Sequence, residues 1–238
     1  MKVISIDMAY ELEVIAFDLE SCQIAADNGA DRIEFCANPQ EGGTTPSLGM
    51  IKQARRLTTI QLFPIIRPRG GDFLYSNAEF EAMKADIIAC REEGCDGVVI
   101  GMLSADGTVD VERSSALVHA AGNMDVTFHR AFDRVCNPQQ SLEEIIAIGC
   151  KRILTSGLMP TAQEGAALLK SLVEQAGNRI RIMPGSGVRS INIGNLALST
   201  GALSFHSSAR SGKASGMLYK NLEMNELLTQ ISLDGHEV

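Results

Sequence analysis

Residues Gly29-Ala30-Asp31-Arg32-Ile33-Glu34-Phe35-Cys36-Ala37 decide the fold. A glycine suited to a left-handed helix cap is followed by one small residue and at once by a β-branched, apolar run, so a helix stops and a strand starts within three residues. The same joint recurs at Gly94-Cys95-Asp96 before Val98 to Leu103, at Gly149-Cys150-Lys151 before Ile153 to Ser156, and at Gly201-Ala202-Leu203 before Phe205 to Ser208.

Between the joints, strands are expected over Leu12 to Asp18, Arg32 to Ala37, Gln61 to Pro68, Gly97 to Leu103, Val126 to Phe132, Arg152 to Ser156, Arg181 to Gly185 and Leu203 to Ser208. Helix starts are marked by Asn77 before Glu79 to Glu93, by Asn137 with Pro138, and by capping-box spacings at Ser141/Glu144 and Thr161/Glu164. Strands alternating with helices imply an α/β protein with a parallel sheet, and about eight units in 238 residues favour one eight-stranded (β/α)8 TIM barrel. The alternative is a doubly wound open sheet. Against it, the first strand-to-helix turn, Asp18-Leu19-Glu20-Ser21, has no glycine-rich dinucleotide fingerprint, and no Walker sequence occurs. No linker or composition shift divides the chain, so residues 1–238 read as one domain, with 1–10 an N-terminal extension and 211–238 a C-terminal helix and tail.

Composition narrows the partners. A net charge of -8, with Lys and Arg scattered singly or in pairs, argues against nucleic acid and anionic membranes, and no apolar run approaches the roughly 20 residues a membrane helix needs. A signal-peptide order is absent at the N-terminus, so a cytoplasmic protein is expected. The six cysteines are spread without a repeated CxxC and read as reduced thiols.

In a parallel barrel, chemistry gathers where strands end. Here those ends carry Glu34, Arg67, Arg69, Asp72, His129, Arg130, Asp133, Ser156, His206, Ser207, Ser208 and Arg210. Period-two alternation puts Glu34 with Cys36, Arg67 with Arg69, and Thr127 with His129 on common sides of their strands. The glycines Gly185 and Gly187 after strand seven, beside Ser207, Ser208 and Arg210, suit an anion bound by backbone N–H groups. Glu34, flanked by Ile33 and Phe35, is an acid/base candidate or half of an internal ion pair with Arg67 or Arg69. Those arginines could equally hold a substrate carboxylate or phosphate. His129 is an acid/base or ligand candidate, or a satisfied rim histidine.

Cys95 and Cys150 fill the joint position that Ala30 and Ala202 occupy elsewhere, and read as packing, as does Cys90. Cys22 and Cys36 form the one thiol combination worth testing as a soft-metal site. His119 and His236 read as surface residues, and the ten Met as core filler. The Arg69-to-Tyr75 loop and Met217 to Tyr219 could dock a partner or cover the chain's own barrel end.

The motifs Gly29-Ala30-Asp31-Arg32-Ile33-Glu34, Glu41-Gly42-Gly43-Thr44-Thr45-Pro46-Ser47, Ile66-Arg67-Pro68-Arg69-Gly70-Gly71-Asp72-Phe73, Thr127-Phe128-His129-Arg130-Ala131-Phe132-Asp133, Arg152-Ile153-Leu154-Thr155-Ser156-Gly157 and Phe205-His206-Ser207-Ser208-Ala209-Arg210 resemble those of the CutC family, the copper homeostasis proteins. The resemblance spans all but about the first ten residues and the tail after Arg210. It implies a cytoplasmic barrel that self-associates as a dimer or tetramer, a role in copper tolerance, and Cu(I) as the candidate cofactor. In some relatives copper is tied to cysteines in strands one and two; the second matches Cys36, but the first aligns with Ile15. The matching residues are instead hard ligands, acid/base groups and phosphate binders. Three functions follow as expectations: a copper-homeostasis protein; a lyase or isomerase in which Arg67, Arg69 and the strand-seven glycines hold an anionic metabolite, Glu34 or His129 moves a proton and Asp133 orients its partner; and a non-catalytic binding module. Imine-forming aldolase chemistry is disfavoured, because no expected strand end carries a lysine.

Overall fold

The computed structural model describes residues 10–209 and 226–230. Its strands are β1 (Glu11–Ala16), β2 (Arg32–Phe35), β3 (Gln61–Pro64), β4 (Gly97–Ile100), β5 (Asp125–Phe128), β6 (Arg152–Thr155), β7 (Arg181–Pro184) and β8 (Ser204–Ser207). Helices α1 (Leu19–Asp27), α2 (Leu48–Leu57), α3 (Asn77–Glu92), α4 (Val111–Ala121), α5 (Pro138–Ala147), α6 (Ala166–Ala176) and α7 (Ile193–Thr200) alternate with them, and 226–230 is helical. Two parallel arcs, β3-β2-β1-β8 and β4-β5-β6-β7, meet through the parallel bridge Ile65–Val99 and the packing of β7 against β8. The result is a (β/α)8 barrel.

The joints set the register. Gly29, Gly94, Gly149 and Gly201 all have φ between +71° and +96°, which lets each chain turn sharply from helix into strand. Outward residues such as Ile33, Phe35, Leu62 and Val98 fill the layer under the helices, while Phe63, Ile65, Val99 and Cys36 pack inside the barrel.

All eight expected strands are present, and each stops one to four residues before its expected end. Asp18 belongs to no strand; it caps α1 by accepting from Ser21 N. The fifth strand ends at Phe128 instead of Phe132, since the His129 imidazole accepts from Ala131 N and starts a 3-10 turn over Arg130–Arg134. The cap of α3 is Ser76, reciprocated by Glu79, rather than Asn77. Asn137 caps α5 as expected, but Ser141 lies buried inside that helix and forms no box with Glu144. Thr161 and Glu164 do bond reciprocally, in a turn preceding α6.

Candidate functional site at the barrel mouth

A cavity of about 970 Å³ opens at the C-terminal ends of the strands. Its apolar walls include Ile15, Ile65 and Leu154, and its polar groups include Glu34, His129 and His206. Parallel pairing builds the buried row behind its wall: β1 sets Glu13 beside Arg32 of β2 and beside His206 of β8. Glu13 Oε1 lies 2.8 Å from His206 Nδ1, its other oxygen receives Arg32 Nε, and His206 Nε2 stands 3.6 Å from Glu34 Oε2. This is a buried carboxylate–imidazole–carboxylate row with its Glu34 end on the cavity.

The members differ in protonation. The Arg32 guanidinium and His206 outweigh burial and hold the Glu13 carboxyl down at about 2, whereas burial raises Glu34 to about 7. For His206 the two carboxylates outweigh burial and push it up. Across the cavity, burial and then the Arg67 charge lower His129 to about 3, so its ring is neutral. His129 Nδ1 accepts from Ala131 N at 3.1 Å, which assigns the single ring proton to Nε2, and Nε2 is buried with no partner among the described residues. Gly101 makes room for that ring: a Cβ there would come within 2.3 Å of it.

The expected Glu34–arginine pair does not form. The Arg67 guanidinium turns to the carbonyls of Glu41, Gly43 and Gly71 and stacks over Phe73, with buried Nε unpartnered among the described residues. Arg69 is outside the cavity wall, bound to Asp72 and Glu79 and stacked over Tyr75, because α3 brings Glu79 to the loop. Asp72 lines the outer rim. Asp133 does not touch His129; it accepts from Thr155 Oγ1, Ser156 N, Ser156 Oγ and Arg130 Nε, tying the β5 and β6 ends together. Ser156 is thus a strut, while Arg130 faces the cavity.

On the anion side, Gly187 and Ser208 line the mouth, joined by Arg189. Ser207 also borders it, its hydroxyl donating to Val188 O at 2.8 Å. Gly185 is a packing glycine, where a Cβ would meet Leu154. Arg210 and the segment Met217 to Tyr219 lie outside the described residues, as does His236.

Sequence reasoning missed Glu13, although Glu11-Leu12-Glu13 alternates charge along a strand as an inward-facing pair would. It also missed Arg189. Below the row, the Arg32 and Arg152 guanidinium groups each lie over the Phe63 ring, 5.3 Å from its centroid.

Among the described residues, the set that could hold a cation is Glu13, Glu34 and His206. Its oxygen and nitrogen donors do not fit soft Cu(I). The thiols fit no better: Cys22 packs in the layer between helices and sheet and Cys36 inside the barrel. Burial raises Cys22 to about 12 and Cys36 well above the ordinary thiol range, disfavouring the thiolate that binds metal.

The model of the CutC family matches residues 10–211. A CutC family protein from Chromobacterium violaceum is 55% identical over 209 residues, covering 88% of this chain and 85% of the relative. The human copper homeostasis protein cutC homolog is 46% identical over 210 residues, 88% of this chain and 77% of its own. The crystal structure of the putative copper homeostasis protein CutC from Streptococcus agalactiae superposes with a TM-score of 0.80 at 33% identity, over 84% of this chain and 98% of that one. No helix among the described residues is long and apolar enough to cross a membrane.

Proposed function

The chain belongs to the CutC family, and from that premise we propose that it serves the copper homeostasis its relatives are named for as a cytoplasmic, self-associating enzyme of lyase or isomerase type. In this reading the substrate is a small phosphorylated or carboxylated metabolite, and the link to copper is indirect. One observation carries it: a single cavity presents a buried carboxylate poised near neutrality and a neutral imidazole N–H, under a rim with Arg67, Arg130 and Arg189. Perturbed acid/base groups converging on one well beside fixed cations are what proton transfer on an anion requires. Arg67 and Arg130 would hold the anion with Gly187 and Ser208; Glu34 moves the proton.

Direct Cu(I) capture by Cys36, with Cys22 as second sulfur, is the competing reading, favoured by the relatives' names. Anaerobic titration of the reduced protein with Cu(I) against a chelator, beside Cys36→Ser, separates the two. The expected result is no stoichiometric Cu(I) binding, together with thermal stabilisation by a phosphorylated or carboxylated metabolite that Arg67→Met weakens. Tight Cu(I) binding lost in Cys36→Ser, with no metabolite stabilising the fold, would overturn the enzyme reading.

A further inference from the structure

Resting on that enzyme reading, we infer the substrate class: a compound with a carbonyl group and a hydrogen on the adjacent carbon, whose carbonyl oxygen accepts from His129 Nε2–H while the Glu34 carboxylate takes the adjacent proton.

The His129 side of the cavity is built to donate only. Its Nδ1 is committed to Ala131 N, so the ring offers one N–H, and that Nε2 is buried without a partner among the described residues, on a ring that lines the cavity. The ring has little freedom to turn away, since the Phe73 ring packs against it, tilted, with centroids 5.0 Å apart, and Gly101 backs it at a distance no Cβ could share. A fixed neutral donor beside apolar walls matches an oxygen that gains charge during reaction, such as a carbonyl becoming an enolate.

The opposite side is built to accept. Glu34 is 3% exposed and lines the same cavity, yet among the described residues no group donates it a hydrogen bond; His206 Nε2 stands 3.6 Å from its Oε2. A buried carboxylate left with free lone pairs costs stability unless a proton or a ligand meets it. Ile15, Ile65 and Leu154 lie on the wall, where a carbon acid would be shielded from water. The cavity wall carries no lysine among the described residues, so the imine route to activating a carbonyl is missing and hydrogen bonding to the oxygen takes its place.

The step balances without a co-reactant. The C–H electron pair becomes the C=C bond of the enolate, the carbonyl π pair moves to oxygen under His129, and the proton rests on Glu34. Return to the same carbon gives exchange with solvent; return to the neighbouring carbon of a hydroxycarbonyl, with the hydroxyl proton passing to the oxygen under His129, gives isomerisation.

The test is proton NMR in D2O, with the full-length protein and a panel of ketose phosphates, aldose phosphates and 2-oxo acids, each beside its reduced alcohol. The expected result is loss of one adjacent-carbon signal for one carbonyl class. Glu34→Gln should slow it about 100- to 10,000-fold, and His129→Asn, whose Oδ1 can still accept from Ala131 N, about 100- to 1,000-fold. Thermal stabilisation by the reduced alcohol should persist in both variants. If alcohols and carbonyls stabilise alike and no exchange occurs, the inference fails while the anionic-metabolite reading stands. If nothing in the panel stabilises the protein or exchanges, both fail. Exchange that survives both variants, or that EDTA removes in favour of a cation on Glu34 and His206, would also overturn it.

Discussion

Glu13 and His206 occupy facing positions on adjacent parallel strands, and the carboxylate of one fixes the ring of the other from inside the barrel wall. Arg32 in turn neutralises Glu13 on its far side, so removing that guanidinium strands a buried charge. Arg32→Met is expected to destabilise by about 3 kcal/mol or more in urea unfolding, with Glu13→Gln in the same chain restoring part of the loss. A change under about 1 kcal/mol would mean that His206 alone satisfies Glu13.

Glu34 makes stability depend on pH in an unusual direction. Its folded value, about 7, exceeds its ordinary 4.5, so its contribution is present below pH 4.5 and is lost as pH rises through 7. Relative to the parent, Glu34→Gln should therefore gain stability at pH 8 compared with pH 5, read as the shift in urea midpoint at each pH. Equal shifts at both values would refute the raised carboxyl.

His129 works in the opposite sense. Its value falls from 6.5 to about 3, so the stability it contributes is present above pH 6.5 and lost as pH falls toward 3. Glu13, lowered from 4.5 to about 2, adds an acid limb between those values. His129→Asn should narrow the stability difference between pH 7 and pH 4, measured by thermal melts across that range.

Gly101→Ala would drive a methyl into the His129 ring and toward the Ala131 side chain. We expect a cost of about 1 to 3 kcal/mol and slower adjacent-carbon exchange of the carbonyl substrate, with far-ultraviolet circular dichroism unchanged. Normal exchange in this variant would show that the ring position is unimportant.

Asp133→Asn replaces an acceptor of several hydrogen bonds with a group that also donates. It should cost about 2 to 3 kcal/mol and weaken ligand stabilisation through Arg130, which loses its anchor. A melting temperature within error of the parent would count against Asp133 as the organiser of this rim.

The barrel was legible because its joints repeat: each glycine, small residue and apolar run marks one helix-to-strand passage, and all eight expected strands occur. Glu34, His129 and His206 were legible from a simple rule, that polar residues at strand ends converge. What escaped was anything that depends on register. Glu13 gains meaning only when β1 is set beside both Arg32 and His206, and a single strand's alternation does not say which face is inward. Arg69 was misassigned for a related reason, since its carboxylate partner Glu79 arrives from α3, ten residues on. The over-long fifth strand reflects local competition: the His129 side chain captures a backbone N–H that extended structure would have left to the ladder.

Beneath the reaction row Arg32 and Phe63 are fully buried and Arg152 nearly so, and the cavity opens at the C-terminal ends of the strands. A well entered from that end has one doorway for arrivals and departures. A reaction that splits its substrate would release the outer fragment first, leaving the inner one to compete with the next substrate molecule. Steady-state kinetics should then show ordered release, with the second product a competitive inhibitor and the first not.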